Sequence, residues 1–181
     1  GRYGGRLVFP ELNSGPRTFN RIIGTESSSN NILDQMYDSL MARDQFTLEP
    51  ALDLATSYRV STDGKTVTFT IPRGLKWSDG DDLTAKDFVF SYNQVILREE
   101  VTGNMRSGML MVPEGSTVEQ PFEIKYINDT TLSVTLPDVS ANLLLEASLT
   151  PFPMHILAPV IGWNEAEHGL DPADEVAGGI V

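Results

Sequence analysis

Apolar and polar positions alternate most regularly between residues 58 and 71. Val67, Phe69 and Ile71 are interleaved with Thr66, Thr68 and Thr70, and Tyr58 and Val60 precede the turn sequence Ser61-Thr62-Asp63-Gly64. A period of two built from β-branched and aromatic residues and joined through Asp-Gly predicts a β-hairpin, ended by Pro72 and Gly74. A second hairpin is predicted where Ile124 and Tyr126 run through Asn128-Asp129 into Leu132, Val134 and Leu136. Helical periods appear in three places. From Asn31 onward, Ile32, Leu33, Met36, Tyr37 and Leu40 share one face, with Ser28, Ser29, Asn30 and Asn31 as possible N-caps. Phe88, Tyr92, Val95 and Ile96 share another, opened by Thr84-Ala85-Lys86-Asp87, which has capping-box spacing with Asp in place of Glu or Gln. A third helix is predicted across 141–149, starting near Asp138 or Ser140.

Weaker patterns fill the rest. Arg6-Leu7-Val8-Phe9, closed by Pro10, predicts a short strand, and Asn13-Ser14-Gly15-Pro16 has the turn chemistry of a loop. Trp77 stands before a further turn, Ser78-Asp79-Gly80-Asp81. Residues 98–118 lack a clean period and hold Gly103, Gly108, Pro113 and Gly115, so they predict a loop with one helical turn around Met109. Pro151, Pro153 and Pro159 break the region after 149, and the end from Trp163 is acidic and contains glycine. Neither an internal repeat nor a low-complexity run is present.

Composition narrows the class. A chain of 181 residues with 40% hydrophobic content is one domain or two small lobes around a real core. The net charge of -12, with 13 basic residues scattered among 25 acidic ones, argues against nucleic acid and against anionic lipid. With no cysteine, thiol nucleophiles, disulfides and thiolate metal sites are excluded. No apolar run reaches the length of about 18 residues that spans a bilayer. The opening Gly1-Arg2-Tyr3-Gly4-Gly5 is expected to be a mature or engineered start, with any export signal already removed.

Candidate chemistry is sparse, and each candidate has a structural reading that fits better. His155 and His168 stand 13 residues apart without zinc-motif spacing, so no metal site is expected. Asp79, Asp81 and Asp82 flank a turn glycine, where Asp bonds local backbone, and Glu99 and Glu100 belong to an exposed helix end. The Asp79 cluster lacks the twelfth-position Glu of a calcium loop. Trp77 and Trp163 are expected to pack rather than to stack on a ligand. No nucleophile elbow or phosphate-cradling glycine motif occurs. No catalytic residue is assigned and no cofactor is expected, which leaves an acidic α/β binding or structural protein that is not an enzyme.

One stretch goes further. Ala51-Leu52-Asp53-Leu54-Ala55, Tyr58, the run from Ser61 to Ile71, Arg73-Gly74-Leu75-Lys76-Trp77-Ser78-Asp79-Gly80 and Leu83-Thr84-Ala85-Lys86-Asp87-Phe88-Val89-Phe90-Ser91 closely resemble the signature of the family 5 solute-binding proteins. These are the dipeptide, oligopeptide, nickel and oligosaccharide receptors of ABC importers. Gly5-Arg6-Leu7-Val8, Gln35-Met36-Tyr37-Asp38-Ser39-Leu40, Thr131-Leu132-Ser133-Val134-Thr135-Leu136 and Pro153-Met154-His155-Ile156-Leu157 are similar to further family segments, Met154 departing from the usual lysine.

The resemblance implies an α/β fold: a class II, periplasmic-binding-protein-like lobe with a mixed sheet and flanking helices, incomplete relative to the full two-lobe fold. The chain is expected to be an N-terminal fragment of such a receptor. Residues 1–48 would form the first part of lobe I, 49–150 an inserted subdomain with the signature hairpin and capped helix, and 151–181 the return to lobe I. The implied partners are a small solute, foremost a peptide, and the permease subunits in the membrane, with the receptor itself a monomer. It would sit in the periplasm or outside the cell, with a lipid anchor left open. Thr25, Glu26 and Ser27 align with the family's cleft-facing loop and are the ligand-binding candidates. The same three residues also fit a polar loop that feeds N-caps to the following helix. A peptide-sensing or chaperone-like role on the same fold, or a nickel or oligosaccharide cargo, is the alternative.

Overall fold

The computed structural model describes residues 15–101 and 103–170, together with Gly4, Gly5 and Val8. The strand expected at 6–9 and the chain end from 171 fall outside the described residues. In chain order, α1 (Ser27–Leu33) leads to the two-stranded hairpin β1 (Met41–Arg43) and β2 (Pro50–Leu52). Strands β3 (Ser57–Val60) and β4 (Thr66–Thr70) follow, then α2 (Ala85–Phe90), which runs into the π-helical segment Ser91–Ile96. After α3 (Asn104–Ser107) come β5 (Leu110–Met111), β6 (Gln120–Pro121), β7 (Glu123–Asn128) and β8 (Thr131–Thr135). Short helices α4 (Leu143–Glu146), α5 (Met154–Val160) and α6 (Glu165–His168) close the order.

The main sheet has the order β3-β4-β8-β7, and every pairing among the described strands is antiparallel. Both predicted hairpins form. Gly64 at φ 71° supplies the left-handed residue that the first turn needs, and Thr66 returns to Ser61. The period of two then sorts the faces. Val67 pairs with Val134 and Phe69 with Leu132, and all four are fully buried against α2 and its neighbours. Thr66, Thr68 and Thr70 face Thr135, Ser133 and Thr131 on the opposite side, which is half-exposed.

The capping box forms as its spacing predicts. Thr84 Oγ1 accepts from the Lys86 amide at 3.3 Å, and Asp87 Oδ2 accepts from the Thr84 amide at 2.9 Å. Phe88, Tyr92 and Ile96 are buried, and Val95 is half-buried. The α-helix passes into a π-helical turn at Ser91, whose hydroxyl bonds the Asp87 carbonyl and accepts the Phe152 amide at 2.9 Å. A side chain that ties a helix to a neighbouring segment is a common setting for such a turn.

Four expectations need correction. The first helix begins at Ser27, not near Asn31, and ends at Leu33. Leu40 donates its amide to Leu149 O at a bend before β1, so Leu33 and Leu40 reach the core without a continuous helix, and Met36 is exposed. The helix expected across 141–149 covers only Leu143–Glu146, because Ser148 and Leu149 bond the backbone of Met41 and Leu40. The helical turn of 98–118 lies at Asn104–Ser107, before Met109, which is buried next to β5. The proline region is not wholly broken: Pro153 precedes α5 and Pro159 sits in its last turn, where the lost amide removes a single helical bond.

Candidate ligand-binding segment

The segment that leads into α1 is built by short polar side chains bonding to backbone. Thr18 Oγ1 accepts from the Asn20 amide at 3.0 Å, Asn20 Oδ1 accepts from the Ile22 amide at 3.0 Å, and the Gly24 amide closes the turn on Asn20 O at 2.9 Å. Gly24 is buried there, and a β-carbon at this position would lie 3.1 Å from Asn20 O. Arg21 fastens the turn to the far end of α1 through Asp34 at 2.6 Å and Asn30 Oδ1 at 3.3 Å.

Thr25, Glu26 and Ser27 follow directly. Thr25 and Ser27 are exposed, and neither side chain makes a hydrogen bond among the described residues. Glu26 occupies the N-cap position of α1 with extended backbone, yet its side chain does not cap the helix amides. Its Oε1 accepts the Ser29 hydroxyl and the Arg17 amide, the latter at 2.9 Å. These donors, the Ser29 hydroxyl first, hold the Glu26 carboxyl down at about 2, so it is ionised at neutral pH.

Ser28 and Ser29, expected as caps, lie buried inside the helix instead. They clasp the preceding loop: Ser28 donates to Gly15 O at 3.2 Å, and Ser29 Oγ accepts from the Thr18 amide at 3.2 Å. A run of three serines carries no sequence signal that separates caps from clasps.

The remaining candidates serve the scaffold. His155 Nε2 meets Asp79 Oδ2 at 2.8 Å and Asp81 Oδ2 at 3.4 Å, which ties α5 to the Asp-Gly-Asp turn. No group of three His, Asp or Glu side chains among the described residues is arranged to hold a metal ion. Trp77 Nε1 donates to Asp87 Oδ1 at 3.2 Å, and Trp163 packs edge-on against Phe90 with ring centres 4.9 Å apart. Asp87 also accepts the Met154 amide at 3.0 Å, so one buried carboxyl joins the turn, the capped helix and α5. Sequence reasoning missed that junction, since a box residue looks the same with or without distant donors. An open depression between the 72–74 and 128–130 turns includes Arg73, Asp82 and Asp129, but none of Thr25, Glu26 or Ser27 lines it.

With this geometry in view, the relatives can be compared. The family described as bacterial extracellular solute-binding proteins, family 5 Middle, matches residues 49–176, which include the β3–β4 and β7–β8 hairpins, the capping box and the Asp87 junction. The chain belongs to solute-binding family 5. Among family relatives, the oligopeptide-binding protein AppA of Bacillus subtilis is 32% identical over 126 residues, covering 68% of this chain and 23% of AppA. A dipeptide-binding protein of Lactococcus lactis is 41% identical over 93 residues, covering 48% of this chain and 16% of that protein. A probable ABC transporter-binding protein of Deinococcus radiodurans is 31% identical over 124 residues, covering 67% of this chain and 20% of its own length.

The fold agrees with this family. The structure of AppA from Bacillus subtilis in complex with a nonapeptide matches with a TM-score of 0.65 at 28% identity, over 87% of this chain and 30% of that one. The ABC transporter substrate-binding protein CtaP of Listeria monocytogenes matches at 0.64 and 27% identity, over 84% of this chain and 30% of that one. The chain therefore has the α/β architecture of part of a family 5 lobe, and it spans between 16% and 23% of the length of the three relatives named.

Proposed function

We propose that this chain is part of the solute-capturing component of an ABC importer, which takes peptides from outside the cytoplasmic membrane and hands them to the membrane permease without converting them chemically. The observation that carries this reading is the family 5 match over 49–176, a region whose turns, strands and capped helix all form as scaffold. Relatives named for dipeptides and oligopeptides, one of them solved around a nonapeptide, point to peptide as cargo.

In this reading Thr25, Glu26 and Ser27 contact the ligand. Two exposed hydroxyls and an ionised carboxylate, braced from behind by Ser29 and the Arg17 amide, suit the amides and the ammonium end of an extended peptide. Backbone-directed binding of that kind makes side-chain selectivity broad. Residues 1–48 and 151–181 would belong to lobe I and 49–150 to a subdomain inserted in it. Closure against a second lobe would bury the ligand. The receptor would act as a monomer outside the cytoplasmic membrane, free or lipid-anchored.

The alternative cargo is a sugar: a periplasmic alpha-galactoside-binding protein of Rhizobium meliloti is 29% identical over 110 residues, covering 61% of this chain and 16% of that protein. One experiment separates the two. The gene product that carries this chain is purified without denaturation, its bound small molecules are released by heat, and they are identified by mass spectrometry. Recovered peptides that rebind and raise the melting temperature are the expected result. Recovery of galactosides, with no thermal shift on peptide addition, overturns the proposal.

A further inference from the structure

The main sheet has two edge strands, and only one of them is blunted. At β7 the register slips between Tyr126 and Asn128, and Lys125 pairs with Glu123 at 2.6 Å, so a bulge and fixed charges make that edge a poor template. Strand β3 has neither device. Its register with β4 runs unbroken from Ser57 with Thr70 to Val60 with Val67, it contains no proline, and all of its residues are exposed.

The ladder determines which backbone groups of β3 are left over. Ile71 donates to Thr130 O and Leu136 donates to Lys65 O, both at 2.9 Å, so the odd-numbered positions along β4 and its flanks turn toward β8. The even-numbered positions turn toward β3, beginning with Thr66, whose carbonyl accepts the Ser61 amide at 2.9 Å. Arg59 and Ser57, the partners of Thr68 and Thr70, therefore bond to β4, and the N–H and C=O groups of Tyr58 and Val60 point out of the sheet. Among the described residues no strand meets them.

Side chains give a second, independent signal. Tyr58 and Val60 share a face with their cross-strand partners Phe69 and Val67, which are fully buried, yet they are themselves 44% and 40% exposed. The apolar face thus runs one strand past its cover. Arg59 stands between them on the opposite face, across from the neutral Thr68, and its side chain makes no ion pair or hydrogen bond among the described residues. In a chain of net charge -12, this edge offers a free cation flanked by two uncovered apolar side chains.

We infer that β3 accepts a further strand from a partner protein, an extended segment with an apolar-acidic-apolar centre. The outward groups of Tyr58 and Val60 bond its backbone, its apolar side chains cover Tyr58 and Val60, and its carboxylate faces Arg59 directly across the ladder. A second copy of β3 is a poorer match, because setting Tyr58 against Val60 places Arg59 against its own counterpart. The inference does not depend on the cargo, since none of Thr25, Glu26 or Ser27 belongs to this sheet.

The test uses the gene product that carries this chain and two dye-labelled peptides, blocked at both ends, with a central Val-Glu-Val or Val-Lys-Val between threonines. Affinity is read by fluorescence anisotropy, and the place of binding by hydrogen–deuterium exchange in the fragment that contains Ser57–Val60. The acidic probe should bind roughly three- to tenfold more tightly than the basic one and slow exchange in that fragment. Arg59→Glu should reverse the preference. Tyr58→Pro removes an outward N–H while leaving the ladder to β4 intact, so it should abolish binding. If its melting curve shows that Tyr58→Pro does not fold, Val60→Lys takes its place, because a charge there stays solvated until an added strand buries it. Absence of binding, equal affinities for the two probes, binding without slowed exchange in the fragment, or a preference that Arg59→Glu leaves unchanged overturns the inference. Slow exchange of the outward amides before any probe is added means that another segment of the same gene product fills the edge. Slowing that grows with protein concentration alone means that a second copy does, and either result overturns the partner assignment.

Discussion

Single side chains in this fold often hold more than one element. Asp87 closes the capping box on Thr84 and also accepts Trp77 Nε1 and the Met154 amide, all at a buried position. Asp87→Asn turns one acceptor oxygen into a donor against these N–H groups, so it should destabilise the fold by about 2–4 kcal/mol in urea unfolding. Thr84→Ala, which removes only the cap, should cost about 1 kcal/mol. Equal losses for the two variants would mean that Asp87 matters only as half of the box. His155 is the titrating counterpart. Its bond to Asp79 raises the imidazole above its ordinary 6.5, helped by the charges of Asp79, Asp81 and Asp87, and the same bond holds Asp79 below 3.8. A raised histidine stabilises the folded state below its unfolded value, and that contribution fades as pH climbs through the folded value; a lowered aspartate contributes above 3.8 and fades as pH falls through its folded value. His155→Gln should therefore lower the melting temperature at about pH 5.5 and much less at about pH 8.5. A pH-independent difference would show that the pair is not coupled to folding.

At the level of elements, the alternating strands were the most legible feature, because a half-buried sheet imposes period two directly on the sequence. Phe69 is fully buried and Thr68 beside it is not, so Phe69→Ala should cost about 3–5 kcal/mol and Thr68→Ala under about 1 kcal/mol. Similar losses from both would contradict the assigned faces. The capped helix was legible for the same reason, since box and apolar stripe are local. Where partners came from far along the chain, the pattern misled. Leu40 and Leu149, or Met41 and Ser148, are more than a hundred residues apart, and their bonds hold residues with helical spacing outside any helix. Thr25, Glu26 and Ser27 stand as ligand-binding candidates only through family resemblance. That Glu26 would be braced by Arg17 and Ser29 instead of capping the helix depends on loop geometry that no periodicity encodes.

For the whole molecule, this chain covers 16% and 23% of relatives named for binding dipeptides and oligopeptides, and the proposed capture of a peptide needs a second lobe to close over it. Residues 1–181 expressed alone should show no rise in melting temperature with di- to pentapeptides at millimolar concentration, and a clear shift would mean that one lobe suffices. The order of the main sheet adds a consequence for synthesis. Strand β4 lies between β3 and β8, and Thr131, the first residue of β8, is made 61 residues after its partner Thr70, the last residue of β4. From the moment Thr70 leaves the exit tunnel until Thr131 follows it, the nascent chain displays a threonine-rich hairpin whose β4 edge still lacks its β8 partner. Holdase chaperones that act on nascent chains should grip this protein there, and release it once Thr135 has left the exit tunnel.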